Sequence, residues 1–230
     1  RSVAGTGDNN DTIKDVENVI ATKGNDIITG NTSANTLIGM EGKDLLSGGA
    51  GADKLYGDNV ADSLAAVVDG SNDDTLLGGA DNDALYGGKG DDTLQGGSGD
   101  DIISGGSGSD TVDYRSATAG VTVDLAIDGV AQNVGGGEGV DTFFNVENVL
   151  GSSHADTFKV NYSANGILDG GIVDNEGGDT VDYSSLVVND AIIDKVVANT
   201  SSSATITGSS ATTPTNTTST FISIENITAS

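Results

Sequence analysis

The chain has 230 residues, only 35% of them hydrophobic and 4% aromatic, and it carries 35 acidic residues against 9 Lys and Arg, a formal net charge of −26. So lean an apolar content excludes a conventional layered core, and so negative a chain excludes nucleic acid and anionic membranes as partners while favouring cations. With no cysteine there is neither a disulfide framework nor a thiolate metal site.

Residues 1–20 lack a charged start followed by an apolar stretch, and no 18-residue apolar run occurs anywhere, so neither a signal peptide nor membrane insertion is expected. The opening Arg1-Ser2, without a methionine, makes the chain read as an excerpt of a longer one. From Ala21 a nine-residue frame takes over, G-G-x-G-x-D-x-U-x with U a large apolar residue. Residues 48–56, 87–95, 96–104, 105–113 and 136–144 match it in full, and weaker copies begin in register at Ala21, Gly30, Gly39 and Gly78. One break occurs: residues 57–77 spend 21 positions on one copy. The surplus around 58–69 spaces Val60, Leu64, Val67 and Val68 loosely as a helix would, which predicts a helical loop, with an irregular loop as the alternative.

The eighth slot holds Ile28, Leu37, Leu46, Leu55, Leu76, Leu85, Leu94, Ile103 and Val112 between mostly polar neighbours. This predicts a three-residue strand with one inward side chain. Such a strand cannot bury its face alone, so successive copies must coil and stack, two per turn, into two parallel sheets around a thin aliphatic ladder. Glycine turns join the sheets. Tyr56 and Tyr86 occupy ninth slots one layer apart and are expected to stack on an outer face.

Stacking aligns the sixth slots into two columns: Asp26, Asp44, Asp74, Asp92 and Asp110 on one edge, Asn35, Asp53, Asp83 and Asp101 on the other. At the ~4.8 Å spacing of strands, neighbouring carboxylates repel by about 3 kcal/mol per pair at an effective dielectric near 20. A hard divalent cation between layers reverses the sign. Ca²⁺ accepts carboxylates and backbone carbonyls together, whereas Mg²⁺ demands a stricter octahedron, so calcium is the expected cofactor.

The blocks GGAGADKLY, GGKGDDTLQ, GGSGDDIIS and GGSGSDTVD resemble the RTX nonapeptide repeats of bacterial proteins exported by type I secretion. The resemblance covers roughly residues 5–113 and 136–182. It implies an all-β fold, a right-handed parallel β-roll, with each ion held by sixth-slot carboxylates, by second- and fourth-slot carbonyls below and by first- and third-slot carbonyls above. Carried over, one ion would use Gly88, Gly90, Asp92, Gly105, Ser107 and Asp110, and another Gly49, Gly51, Asp53, Gly78, Ala80 and Asp83. The same slots assign Thr22, Gly24, Gly39, Met40, Glu41, Gly42, Gly48, Ala50, Gly79, Asp81, Gly87, Lys89, Gly96 and Ser98, with Asp141, Asp156 and Asp179 as later acids and about six ions in all. Asn35 in place of an acid is expected to weaken its site, and Asn72 and Asp81 in place of the fourth-slot glycine are expected to disturb their turns.

A longer phrase overlies the short one: DTIKDVENVI from Asp11, DTFFNVENVL from Asp141 and STFISIENIT from Ser219. The chain therefore divides into a roll (1–113), a strand and loop insertion (114–135) where Val121, Val123 and Leu125 suggest ordinary longer strands, a degenerate second roll segment (136–182), and a β-rich Ser/Thr segment (183–230) leading into a further unit. Catalysis finds little support. His154 is the only histidine, no nucleophile elbow or phosphate loop occurs, and paired acids such as Asp91 and Asp92 recur at every layer as a metal ladder would. The expectation is a non-enzymatic structural or interaction module of a surface protein of S-layer or adhesin type, outside a Gram-negative cell, with neighbouring repeats and its own copies as partners. The alternative is the calcium-binding part of a secreted enzyme or toxin such as a protease, lipase or epimerase.

Overall fold

A backbone with one large apolar residue in nine can bury it only against the same residue of another copy, and the structure shows this ladder. The computed structural model describes residues 17–58, 72–159, 167–171, 178–182, 205–207, 220–222 and 226–228, all strand, turn or loop with no helix among them. The expected helical loop lies outside the described residues from position 59 onward, as does most of 183–230.

The first sheet takes alternate strands β1 (Asn18–Ile20), β3 (Thr36–Met40), β5 (Lys54–Asp58), β7 (Ala84–Lys89) and β9 (Ile102–Ser107). The second takes those between, β2 (Ile27–Thr29), β4 (Leu45–Ala50), β6 (Thr75–Ala80), β8 (Thr93–Ser98) and β10 (Thr111–Asp113). All these pairs are parallel and in register: Leu37 sits on Leu55, Leu55 on Leu85 and Leu85 on Ile103, while Leu46, Leu76, Leu94 and Val112 form the facing column. Every eighth-slot side chain from Leu37 to Val112 is fully buried. Tyr56 and Tyr86 stack in parallel, ring centroids 5.0 Å apart.

Two features differ from expectation. The complete strands run to six residues, not three, because the backbone stays extended through the first three slots of the next copy before it turns. The segment after β10 builds no longer strand: β11 (Thr122–Asp124) has three residues and β12 (Gln132–Asn133) two. β12 caps the first sheet antiparallel to β13 (Val140–Phe144), which itself stacks on β9 with Phe143 over Ile103. β11 founds a third sheet. There it pairs with β15 (Thr157–Lys159), followed by β17 (Thr180–Asp182), β20 (Asn226–Thr228) and β18 (Thr205–Thr207). The second sheet meanwhile continues unbroken through β14 (Asn148–Leu150), β16 (Ile167–Asp169) and β19 (Thr220–Ile222). The longer phrase is thus a pair of successive strands in two different sheets, β13 in the first with β14 in the second, and β19 in the second with β20 in the third.

The second slot is where glycine is needed. Gly79 has φ +120°, and a Cβ on it would lie 1.9 Å from the carbonyl oxygen of Gly49 one layer below. Met40 and Asp81 nevertheless occupy second and fourth slots at φ 94° and 76°, so the turns keep their shape at a cost in backbone strain. Asp81 recovers part of it, since its carboxylate accepts the Gly51 amide at 3.0 Å. Met40→Gly is expected to stabilise the chain by about 1 kcal/mol and Gly79→Ala to destabilise it by about 2 kcal/mol or more, read from denaturant midpoints at fixed calcium.

Candidate metal centre

Each sixth-slot aspartate closes its turn with the side chain pointing along the stack, and its two oxygens have different fates. Oδ1 accepts the amide of the sixth-slot residue one layer below. Asp26, Asp44, Asp74 and Asp92 donate in turn to Asp44, Asp74, Asp92 and Asp110 at 2.7–2.9 Å. On the other edge Asn35, Asp53, Asp83 and Asp101 donate to Asp53, Asp83, Asp101 and Asp141 at 2.7–3.1 Å. Oδ2 of Asp44, Asp53, Asp74, Asp83, Asp92, Asp101 and Asp110 is buried and has no hydrogen-bond partner. Seven buried, unpartnered carboxylate oxygens at equivalent places form a construction with a purpose, since each costs free energy unless something answers it.

What surrounds those oxygens says what would answer them. The first-slot glycine of the same copy leaves a cradle that a Cβ would fill. At Gly87 that point lies 2.2 Å from Asp92 Oδ2 and 2.6 Å from the Gly105 carbonyl oxygen, and at Gly48 it lies 2.2 Å from Asp53 Oδ2 and 2.8 Å from Gly78 O. Gly39, Gly57 and Gly78 repeat the pattern with Asp44, Asp74 and Asp83. A carboxylate oxygen of one layer and a carbonyl oxygen of the next thus face the same gap beside the glycine, the pairing of donors that calcium accepts.

The family of RTX calcium-binding nonapeptide repeats matches the chain in four copies, over residues 15–36, 29–64, 67–94 and 77–112. Residues 15–112 are an RTX repeat array. No curated protein matches the chain. RTX repeats bind calcium and are typical of secreted bacterial proteins, and no described helix is long and apolar enough to cross a membrane.

The residues present fit calcium. No three acid, His or Cys side chains cluster among the described residues, because the RTX stack spaces carboxylates one per layer and leaves the remaining oxygens to the backbone. That donor set of few carboxylates and many carbonyls suits a large hard cation. Of the carbonyls assigned by slot, the first-slot ones of Gly48, Gly78, Gly87, Gly96 and Gly105 lie at the cradles, and that of Gly57, not assigned from the sequence, lies at the Gly39 cradle. The Ser107 carbonyl, a third-slot one, accepts the Gly90 amide at 2.9 Å. Burial is the main reason that the column carboxyls are pushed up, to about 6 for Asp101 and Asp110, about 7 for Asp44 and Asp83, about 8 for Asp74 and about 9 for Asp92. The donated amides oppose this, and neighbouring acids add to it.

Other assigned residues are engaged by protein donors. Asp26 Oδ2 accepts the Thr22 amide and hydroxyl, and Asn35 Oδ1 the Asn31 amide. Asp141 Oδ2 accepts the Tyr114 hydroxyl at 2.6 Å. Asp156 is held by the Ser152 amide and hydroxyl and by the Val121 amide, and Asp179 accepts the Asp156 amide. His154 lies in this last loop, its amide donating to Ser152 Oγ.

Sequence reasoning missed three groups. Glu147 replaces the sixth-slot acid above Asp110, whose amide donates to Glu147 Oε2 at 2.9 Å. Buried Asp58 accepts the Lys89 amide and the Asn72 carboxamide. The fifth-slot acids Asp73, Asp91 and Asp100 accept the amides of Asp91, Ser109 and Val140 one layer above, opposite in direction to the sixth-slot ladder. The recurrence of acid or Asn in the fifth slot was the available signal for the last.

Two outcomes follow. Without calcium the folded chain binds more protons than the unfolded one, whose carboxyls titrate near ~4, so stability is fully present below that value and is lost as pH rises through about 6 to 9. Calcium affinity runs the opposite way and rises over the same range, because proton and cation compete for one oxygen. Urea titrations in chelator at several pH values, paired with calcium titrations, check both signs. Separately, Asp92→Asn is expected to weaken calcium binding in the layers on either side, since Oδ1 meets the Asp74 amide and Oδ2 the Gly105 carbonyl, while Asp91→Asn keeps its exposed Oδ1 acceptor and changes little.

Proposed function

We propose that this chain is a calcium-folded building block of a larger surface protein of S-layer or adhesin type, without catalytic activity, exported from a Gram-negative cell and joined to its own copies. The observation that carries the reading is the pair of columns of buried, unpartnered carboxylate oxygens, which are stable as charged groups only where calcium is plentiful. In calcium-poor cytosol such a chain stays unfolded and threadable through a type I export channel, and folds on arrival. Self-association is supported by the exposed apolar side chains Ile20 of β1 and Ile27 of β2.

With site affinities near 1 mM, calcium at about 10 mM adds roughly 1.4 kcal/mol per site, or on the order of 8 kcal/mol over about six sites, comparable to the stability of a domain. Circular dichroism is expected to show strand signal appearing with calcium and lost in excess chelator at low salt; an unchanged signal would sink the reading. Sedimentation across a calcium series is expected to show assemblies growing with calcium, and a strictly monomeric folded roll would move the chain to the role of an appendage of a secreted enzyme or toxin.

A further inference from the structure

The uppermost cradle on the edge of Asp53, Asp83 and Asp101 is built differently from those below. Six of the seven unpartnered aspartate oxygens share their cradle with a backbone carbonyl from the next layer, including Asn145 O at Gly105. At Gly96 the three nearest atoms all belong to Asp101. The carbonyl due there is that of Gly136, first slot of the copy above, and it is engaged elsewhere: it accepts the Thr118 amide and hydroxyl, both at 3.0 Å.

The copy above carries an acid in the third slot, where the other full copies have Ala, Lys or Ser; among the weaker copies Glu41 is also an acid there, but it is spent on the ion pair with Lys23. Glu138 fills the third slot of residues 136–144 and is 6% exposed, with Oε2 buried and unpartnered. Its loop lies slot for slot over that of Asp101. The Gly99 amide donates to Glu138 O at 3.1 Å, the Val140 amide to Asp100 Oδ1 at 3.0 Å and the Asp101 amide to Asp141 Oδ1 at 3.1 Å. Two buried carboxylate oxygens without partners, Asp101 Oδ2 and Glu138 Oε2, thus belong to adjacent layers where the first-slot carbonyl above is already engaged by Thr118. Burial, and after it the Asp101 charge, raises the Glu138 carboxyl to about 7. A groove lined by Gly97, Ser98, Thr118 and Glu138 opens beside them.

We infer that Glu138 is the side-chain ligand of a distinct calcium site over Asp101, its carboxylate standing in for the diverted Gly136 carbonyl. This rests on the calcium reading above. The site carries one more negative charge than its neighbours and therefore binds more tightly, as ligand charge does in other calcium sites. Tyr114 marks it: its hydroxyl donates to Asp141, the sixth-slot residue of Glu138's own copy, so it is an antenna for terbium placed there.

The test is calorimetric calcium titration of the full chain, of Glu138→Gln and of Asp92→Asn, with tyrosine-sensitised terbium luminescence of the full chain and of Tyr114→Phe. Glu138→Gln is expected to weaken one site by about tenfold or more while the rest persist, and Tyr114→Phe to remove the component of terbium emission that saturates first. Unchanged binding in Glu138→Gln beside weakened binding in Asp92→Asn overturns this inference and leaves the calcium reading standing; no change in either overturns both. If Glu138→Gln does not fold, terbium decides: early-saturating emission that survives Tyr114→Phe overturns the assignment.

Discussion

Parallel stacking of identical turns places like on like, and in this chain the group so placed is a carboxylate whose outer oxygen has no partner in the protein. That repetition is the constraint on which the structure depends. A single buried unpaired acid would shift its titration and stay neutral. A column of them, with each Oδ1 already committed to the amide below, has one oxygen per layer that only a proton or a cation can satisfy. The glycines follow from the same demand: the first-slot position must leave room where carboxylate and carbonyl meet, and the second-slot position must let one layer approach the next.

The apolar ladder is too thin to replace that contribution. One buried aliphatic side chain accompanies each nine ordered residues, and its burial does not by itself offset the chain entropy lost in ordering them. The backbone ladders and the fifth- and sixth-slot hydrogen bonds set the register, while the cation decides whether the register is worth holding. Oxygens that only a proton or a cation can satisfy couple folding to the binding of either.

The insertion between β10 and β13 alters this regularity at one edge only. By capping the first sheet with β12 and founding a third with β11, it lets the second sheet run on while the opposite face restarts. Val121 supplies the amide under Asp156 that an acid supplies elsewhere, so the new column begins without a carboxylate beneath it. At the same junction Tyr114 takes the free oxygen of Asp141, and Glu138 arrives over Asp101.

The nonapeptide determined by itself the parallel roll, the eighth-slot ladder, the two sixth-slot columns and the Tyr56–Tyr86 stack, because a strict period makes every copy's environment the same as its neighbour's. Where the period fails, local pattern says little. The branched residues around Val121 look like an ordinary strand, yet what they pair with depends on Asp156, 35 residues away in sequence. Nor does spacing reveal that Asp141 and Asp156 spend their oxygens on Tyr114 and Ser152 while Asp92 and Asp101 keep one free. Which carboxylates are left for calcium is decided by the donors that the folded backbone brings within about 3 Å, and that is a property of tertiary contacts alone.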